Sequence, residues 1–382
     1  MKVLFVTRGW PTKKDPMSGN YEAVQAKALV KKGVDVTVLI FRWQSILHLF
    51  DKKVSVFFES GVKVFIVNII QPSIPHVLSS FKLNVVWKRN AFRHFYKKYL
   101  KNINPVDIIH AHSAFEAFFI PPVVKAYHIP FVITEHWSKM NNETVDSESM
   151  EMAKVSYAVA DKVITVSKAL ADSLENKFGI KSTIIHNMVP DSFFEGDVRE
   201  RKNSLFRIFS VGELREGKRF DILIKALAKS SHKQDCILTI IGDGSEMENL
   251  KQCILENNMQ NHVFMAGRKT QDEVNLALMD ADCFALTSQR ETFGIVYIEA
   301  MAKGVPVIAT ACGGPESFVN EKNGLLIPVD DVEATAQAID YMVEHIDDYN
   351  HEEIRQFCYD NFSQEKIANQ IIQVYEDVLH KI

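Results

Sequence analysis

Residues 288–306 read SQRETFGIVYIEAMAKGVP, and the apolar run Cys283–Leu286 stands just before them. The pattern predicts a buried strand, a polar loop and then a helix. That helix starts near Gly294 and stops at Gly304 and Pro306, which are ordinary C-terminal signals. Backbone N–H groups around Thr292, Phe293, Gly294 and Ile295 lack intrahelical partners and suit a phosphate. Gly294 has no Cβ, so an anion can come close. Glu291 lies before the helix, and Glu299 projects about a turn and a half further on. A carboxylate beside a phosphate needs another purpose, and hydroxyl pairs supply one, because an ionised carboxylate accepts two hydrogen bonds at once. Two such acceptors flanking a phosphate site outline a nucleotide sugar, with ribose on one side and the sugar on the other. The competing interpretation is a helix with a favourable acid ahead of it and a solvated Glu299.

Working outward, strand and helix segments alternate along the whole chain. Strands are predicted at Lys2–Thr7, Val34–Phe41, Val62–Val67, Val106–His110, Phe131–Thr134, Lys162–Val166 and Thr183–His186. The rhythm restarts with Phe206–Val211, Cys236–Ile241, Val263–Ala266, Cys283–Leu286, Val305–Ala309 and Gly324–Ile327. Alternation of this kind predicts parallel sheets covered by helices, and 382 residues exceed what one core usually organises. The expectation is an α/β protein of two Rossmann-like domains, with residues 1–190 forming one and 191–362 the other. A linker is placed at Pro190–Ser204. Residues 363–382 read as a terminal helix that packs back on the N-terminal domain, or as an ordinary last helix of the second.

Charge divides the chain. Residues 1–190 hold 25 Lys and Arg against 15 Asp and Glu, an excess of +10; the remainder holds 19 against 33, or −14. The five cysteines all fall in the second half without a Cys-x-x-Cys pair, which argues against a disulfide framework or a zinc site and for a reducing compartment. No apolar run approaches the ~18 residues that span a bilayer. A cytoplasmic protein is expected, with peripheral contact at the inner face of the membrane as an open alternative.

The Glu291-x7-Glu299 spacing, the Thr-Phe-Gly between them and the following Glu-Ala-Met-Ala-x-Gly-x-Pro-Val resemble the retaining glycosyltransferases of family 4. Val211-Gly-Glu-Leu with Lys218, Ile240-Ile-Gly-Asp-Gly-Ser-Glu246, Phe264-Met-Ala-Gly267, Gly313-Gly-Pro-Glu316 and Asn323-Gly-Leu-Leu follow in that family's order. The resemblance implies the GT-B fold, with two parallel sheets facing across a cleft. It also implies transfer of a sugar from a nucleoside-diphosphate-sugar to an acceptor hydroxyl, in polysaccharide or glycolipid assembly. Lys218 would then bind the diphosphate, Glu299 the ribose and Glu291 the donor sugar. Main chain near Arg268 and Lys269 would contact the base, and the amides of Phe293, Gly294 and Ile295 would cradle oxygens. His112 would face the donor sugar. Gly19, in the loop after the first strand, would lie near the donor phosphates, while Asn20 and His136 would belong to the acceptor side. Many relatives have an Arg where this chain has Glu213, and Arg215 or Arg219 could replace it.

No metal or other cofactor is expected. Asp280-Ala-Asp282 imitates a metal-holding acidic pair but falls between a helix and a strand, where capping or surface roles are commoner. His110 and His112 share one side of their strand, with no third ligand evident nearby. The stretch from Ser60 to Val106 carries eight Lys or Arg and no acid. Within it, residues 81–101 interleave cations and aromatics at helical spacing, which suits an anionic membrane surface or a lipid-linked acceptor. The same stripe also suits a core-facing helix with a solvated basic face. No nucleic-acid motif accompanies the charge. A nicotinamide dehydrogenase is excluded because Arg8–Asn20 lacks Gly-x-Gly-x-x-Gly. An epimerase acting on the donor alone, or a non-catalytic sugar-nucleotide binding module, stays open.

Overall fold

The computed structural model describes residues 1–12, 15, 17–45, 53–71, 81–101, 105–142, 144–196 and 205–380. The chain divides into two compact units. Unit 1 comprises Met1–Val166, Leu170–His186 and Ile367–Ile382; unit 2 comprises Ser167–Ala169 and Asn187–Lys366. The boundary after His186 is a few residues before the predicted one, and residues 197–204 of the predicted linker lie outside the described residues.

Unit 1 is built on eight strands: β1 Lys2–Thr7, β2 Asp35–Ser45, β3 Val54–Glu59, β4 Val62–Gln71, β5 Ile108–His112, β6 Phe131–Glu135, β7 Lys162–Thr165 and β8 Thr183–Ile184. Their order is β3-β4-β2-β1-β5-β6-β7-β8. All pairings are parallel except β3 with β4. Strand β3 is the one the sequence pattern does not predict. The helix Phe81–Phe95 continues into the wider-wound turn Tyr96–Leu100. Its Phe92, Phe95, Tyr96 and Leu100 are buried, with Phe92 against Phe41 and Phe95 against Phe65. The aromatic stripe is therefore spent on the core of unit 1. Arg93, His94, Lys97, Lys98 and Lys101 face outward. The last helix, Gln364–Leu379, gives its residues from Ile367 onward to unit 1, where the Tyr375 hydroxyl lies 2.6 Å from His110 Nδ1.

Unit 2 holds six parallel strands: β9 Phe206–Val211, β10 Cys236–Ile241, β11 Val263–Gly267, β12 Cys283–Leu286, β13 Val307–Thr310 and β14 Gly324–Ile327. They run in the order β11-β10-β9-β12-β13-β14. Every residue of β12 and β13 is buried, as expected of parallel strands covered on both faces, and this is why they read as unbroken apolar runs. In each sheet the chain departs in both directions from one central adjacency, β1 beside β5 in unit 1, where β3 takes the edge and β4 returns inside it, and β9 beside β12 in unit 2. Loops leaving the carboxyl ends of such a strand pair diverge and leave a crevice, the place where open α/β sheets bind ligands.

Candidate functional site

Two loops leave the β9/β12 crevice of unit 2. The loop after β9 ends in the turn Glu216–Lys218, and the loop after β12 runs from Thr287 to Gly294. Lys218 Nζ and Glu291 Oε1 meet across the crevice at 2.5 Å, with both side chains nearly buried. Ser288 Oγ donates to the same carboxylate oxygen at 2.7 Å. The sequence names Lys218 and Glu291 separately, for diphosphate and for sugar. The fold makes them partners.

The loop carrying Glu291 is pinned from several sides. Thr287 Oγ1 donates to Arg219 O at 2.6 Å, Thr310 Oγ1 to Ser288 O at 2.6 Å, and the Tyr297 hydroxyl to Leu286 O at 2.8 Å. Gly314 N donates to Glu291 O at 2.9 Å, while both oxygens of Glu316 accept from Gly313 N. The Gly313-Gly-Pro-Glu316 motif thus acts as a brace behind Glu291, a role that its spacing does not reveal. Gly294 has φ 93° and precedes the helix Ile295–Met301. A Cβ there would stand 2.6 Å from the Tyr297 ring, so the position excludes any larger residue. Phe293 is buried against Phe318 and Phe362, which leaves its backbone rather than its ring to meet a ligand.

Glu299 sits on that helix, only 5% exposed, and accepts a hydrogen bond from Gln271 Nε2 at 3.0 Å. Burial pushes its carboxyl from 4.5 up to about 7, with Gln271 opposing the rise. It is not the solvated acid of the competing interpretation. Gln271 opens the helix Gln271–Leu278, and nothing in the sequence singles it out. Arg268 and Lys269 follow β11, and Lys269 pairs with Glu273, 3.2 Å away, beside the Thr270 capping box.

Neither stand-in for the arginine expected at Glu213 is free of an acidic partner: the Arg219 guanidinium is held by Asp221 at 3.0 Å and by Asp330, and Arg215, which is exposed, lies 3.8 Å from Glu213. The Asp280-Ala-Asp282 pair serves Arg207, whose backbone N donates to Asp282 at 2.7 Å and whose side chain pairs with Asp280 at 3.5 Å. Among the described residues no group of three His, Cys, Asp or Glu is placed to hold a metal.

In unit 1, three imidazoles stack at the carboxyl ends of β5 and β6. The ring centroids of His110 and His112 are 4.6 Å apart, and those of His112 and His136 are 5.5 Å apart. His110 is satisfied on both nitrogens, by the Tyr375 hydroxyl and by Thr134 Oγ1 at 2.7 Å. His112 has Nδ1 3.3 Å from His136 Nε2, while its buried Nε2 has no partner. Of the neighbouring pair, His110 is the structural member and His112 the one with a group left for a ligand. Burial lowers all three, His110 to about 3 and His136 to about 4, so they are neutral at ordinary pH.

Glu135 accepts from Ala114 N, Trp137 N and the Tyr157 hydroxyl, and thereby fixes the two loops. Gly19, at φ 66°, caps the helix Asn20–Lys31; a Cβ there would strike Gly9 O at 2.1 Å. Its absence of side chain is required by the loop's own packing. Asn20 is buried at the first position of that helix.

Two parallel-sheet α/β units of this construction define the GT-B class. The chain belongs to the glycosyltransferases of that class: residues 20–193 match the family model Glycosyltransferase Family 4, and residues 194–351 match Glycosyl transferases group 1. It is 29% identical to the N-acetyl-alpha-D-glucosaminyl L-malate synthase of Bacillus anthracis, over 72% of this chain and 75% of that protein. Its fold matches the sucrose-phosphate synthase of Thermosynechococcus elongatus with a TM-score of 0.80, at 19% identity over the whole of both chains. It also matches Anabaena HepE, solved in complex with UDP and glucose, with a TM-score of 0.75 at 19% identity over 99% of this chain and 100% of that one. The chain is an enzyme that transfers a sugar from a donor to an acceptor.

Proposed function

We propose that this glycosyltransferase uses a nucleoside-diphosphate-sugar held at the β9/β12 crevice of unit 2 and transfers the sugar with retention. The observation that carries the proposal is the Lys218–Glu291 pair, a cation and an acid held at one point by a pinned loop. When a diphosphate arrives, Lys218 turns from Glu291 to the phosphate oxygens, and the released carboxylate takes sugar hydroxyls. Glu299, buried and with Gln271 beside it, takes the ribose diol. The amides of Phe293, Gly294 and Ile295 and the main chain at Arg268 and Lys269 complete the grip. In unit 1, the buried His112 Nε2 has no partner and is available to hydrogen-bond a substrate.

The bond from the anomeric carbon to the phosphate oxygen breaks while the acceptor oxygen bonds the same face of that carbon. The acceptor's proton passes to the departing phosphate oxygen. Negative charge grows on the diphosphate during this step, and fixed amides with Lys218 stabilise it without reorganising. No metal is assigned a part. Family membership favours transfer over the epimerase and binding-module alternatives.

The likeness to a protein solved with UDP and glucose makes a UDP-sugar the first donor to test. A glycan or lipid-linked acceptor suits a role in polysaccharide or glycolipid assembly. Arg93, Lys97, Lys98 and Lys101 offer an anionic membrane surface a purely electrostatic contact on the cytoplasmic side. Flotation with anionic vesicles at low salt tests that contact. A thermal-shift screen of UDP-, GDP-, ADP- and dTDP-sugars tests the donor site, since a bound donor raises the melting temperature by mass action. Stabilisation by one nucleotide series, lost in Lys218→Ala, is expected. No stabilisation by any of them overturns the proposal.

A further inference from the structure

One edge of the unit 1 sheet is open. Strand β3 pairs with β4 on one side, and among the described residues no strand pairs with its other side. Asn68 N donates to Lys53 O at 2.9 Å, so Lys53 turns its backbone groups toward β4. Alternation gives Ser55, Phe57 and Glu59 the same direction, and points the N–H and C=O groups of Val54, Val56 and Phe58 away from the sheet. The side chains of these three share one face. Val56 is 46% exposed and Phe58 72%, the highest figure for any large apolar side chain described. Soluble proteins blunt an open edge with a charge, a proline or a bulge. Val54-Ser-Val-Phe-Phe58 has neither charge nor proline, and its register with β4 is unbroken.

The edge is complementary to itself. Set antiparallel against a second copy with Val56 opposite Val56, Val54 meets Phe58 and Lys53 meets Glu59, and the twofold repeats both pairs. This register engages all three outward-facing residues of each copy. A slip of two residues either way leaves one of them unpaired and takes Lys53 away from the acid. Lys53 is exposed, and Glu59 lies on the same face with 40% of its side chain exposed. Glu59 is held in place by Lys27 Nζ at 2.6 Å and Trp10 Nε1 at 2.8 Å, and an ionised carboxylate has room for a further donor. On the other face the side chains of Val54, Val56 and Phe58 from both copies join into one apolar strip. That strip continues the packed surface of unit 1, because Val56 stands opposite Phe65, which lies 5.1 Å from Phe95 and 5.7 Å from Tyr99.

We propose that β3 is a docking edge for a second copy of this chain, the two strands pairing antiparallel about a twofold axis at Val56 to make one continuous sheet. Every outward N–H and C=O of Val54, Val56 and Phe58 then has a partner, and Lys53 of each copy pairs with Glu59 of the other. Residues directly opposed in an antiparallel pair lie on the same face, so the helix Phe81–Phe95 of both copies lies on one side of the joined sheet. A strand pair of this length buries less than the roughly 1,200 Å² of a tight complex, so the dimer is expected to form at about 10–100 µM chain. The inference goes beyond sugar transfer and does not depend on the donor site.

Sedimentation velocity on the full chain, from about 1 to 200 µM, tests it: the wild type should pass from monomer to dimer across that range. Val56→Lys sets like charges face to face at the axis and should raise the dissociation constant at least about tenfold. The register is tested by oxidative cross-linking. At the axis the Cα atoms of residue 56 in the two copies stand about 5.5 Å apart, within disulfide range, so Val56→Cys should cross-link. Phe58 and its copy are separated by four residues along the strands, about 13 Å, so Phe58→Cys should not. Both side chains are exposed, and should Val56→Lys still fail to fold, the two cysteine variants decide. A wild type that stays monomeric at the highest concentration overturns the proposal. So does a dimer that persists unweakened in Val56→Lys, which would mean that the copies meet elsewhere. Cross-linking of Phe58→Cys as fast as Val56→Cys, or of neither, overturns the pairing.

Discussion

Glu299→Gln should make the free protein more stable and the donor complex weaker. The carboxyl is pushed from an ordinary 4.5 to about 7 because burial penalises its charged form. An acid whose folded value is raised favours folding fully below its unfolded value and loses that contribution as pH climbs to the folded one. The gap between 4.5 and about 7, at ~1.4 kcal/mol per pH unit, amounts to about 3 kcal/mol lost from wild type above pH 7. Glutamine has the same shape, carries no charge and still offers a carbonyl oxygen to Gln271. Urea unfolding of the two proteins should therefore give nearly equal stabilities at about pH 4.5, and a variant more stable by up to about 3 kcal/mol at about pH 8. Binding should respond in the opposite sense. If ribose hydroxyls donate to an ionised Glu299, affinity for UDP-glucose, whose diphosphate does not titrate in this range, improves up to about tenfold per pH unit below 7 and then levels. In Glu299→Gln the profile should be flat and the affinity lower by about 1.5–3 kcal/mol, roughly 10- to 150-fold. Calorimetric titration reads both. A stability gap independent of pH, or a variant that binds UDP-glucose as wild type does, refutes the reasoning.

Three further outcomes follow from the same geometry. Lys218→Ala removes the cation expected at the leaving group, and kcat for UDP-sugar turnover should fall by about 10²–10³, with the melting temperature lowered as well because Glu291 loses its nearly buried partner; a near-normal kcat refutes its role. Gly294→Ala forces a Cβ to 2.6 Å from the Tyr297 ring at φ 93°, so unit 2 should lose about 1–3 kcal/mol in urea unfolding. An unchanged midpoint would mean that the loop is not held as described. Chelator should leave transfer unaffected, and activity lost to EDTA and restored by magnesium would show that a metal takes part.

The order of elements was legible because parallel strands buried on both faces write themselves as apolar runs; Phe206–Val211, Cys236–Ile241, Cys283–Leu286 and Gly324–Ile327 carry the predicted ends. Strand β3 escaped because it is an edge strand in an antiparallel hairpin, half-exposed, with Phe58 72% accessible. A signal did exist. Ser60 and Gly61 both have positive φ, 48° and 81°, and a Ser-Gly pair between two β-rich runs is a hairpin turn. The basic helix shows a different limit. Helical spacing of aromatics reveals that one face is covered, but says nothing of the cover, which here is Phe41 and Phe65 rather than lipid.

The site divides along the same line between local and distant information. Glu291, Gly294 and Glu299 fall in one loop and the helix it enters, so their spacing alone fixes their relation, and the sequence exposes it. Lys218 is 73 residues from Glu291, and only the adjacency of β9 and β12 joins them. Gln271 reaches Glu299 from a helix 28 residues away, and glutamine at a helix start carries no mark. Glu22, in the first turn of the helix Asn20–Lys31, is the sharpest case. A glutamate in the first turn of a helix is ordinary, favoured by the helix dipole and usually solvated. What sets it apart is a buried Oε2 without a hydrogen-bond partner, and that is a property of the packing around it. Residue type and spacing can therefore point to groups that act on a ligand through a shared loop. Groups set apart by something missing beside them become visible only when their neighbours are in place.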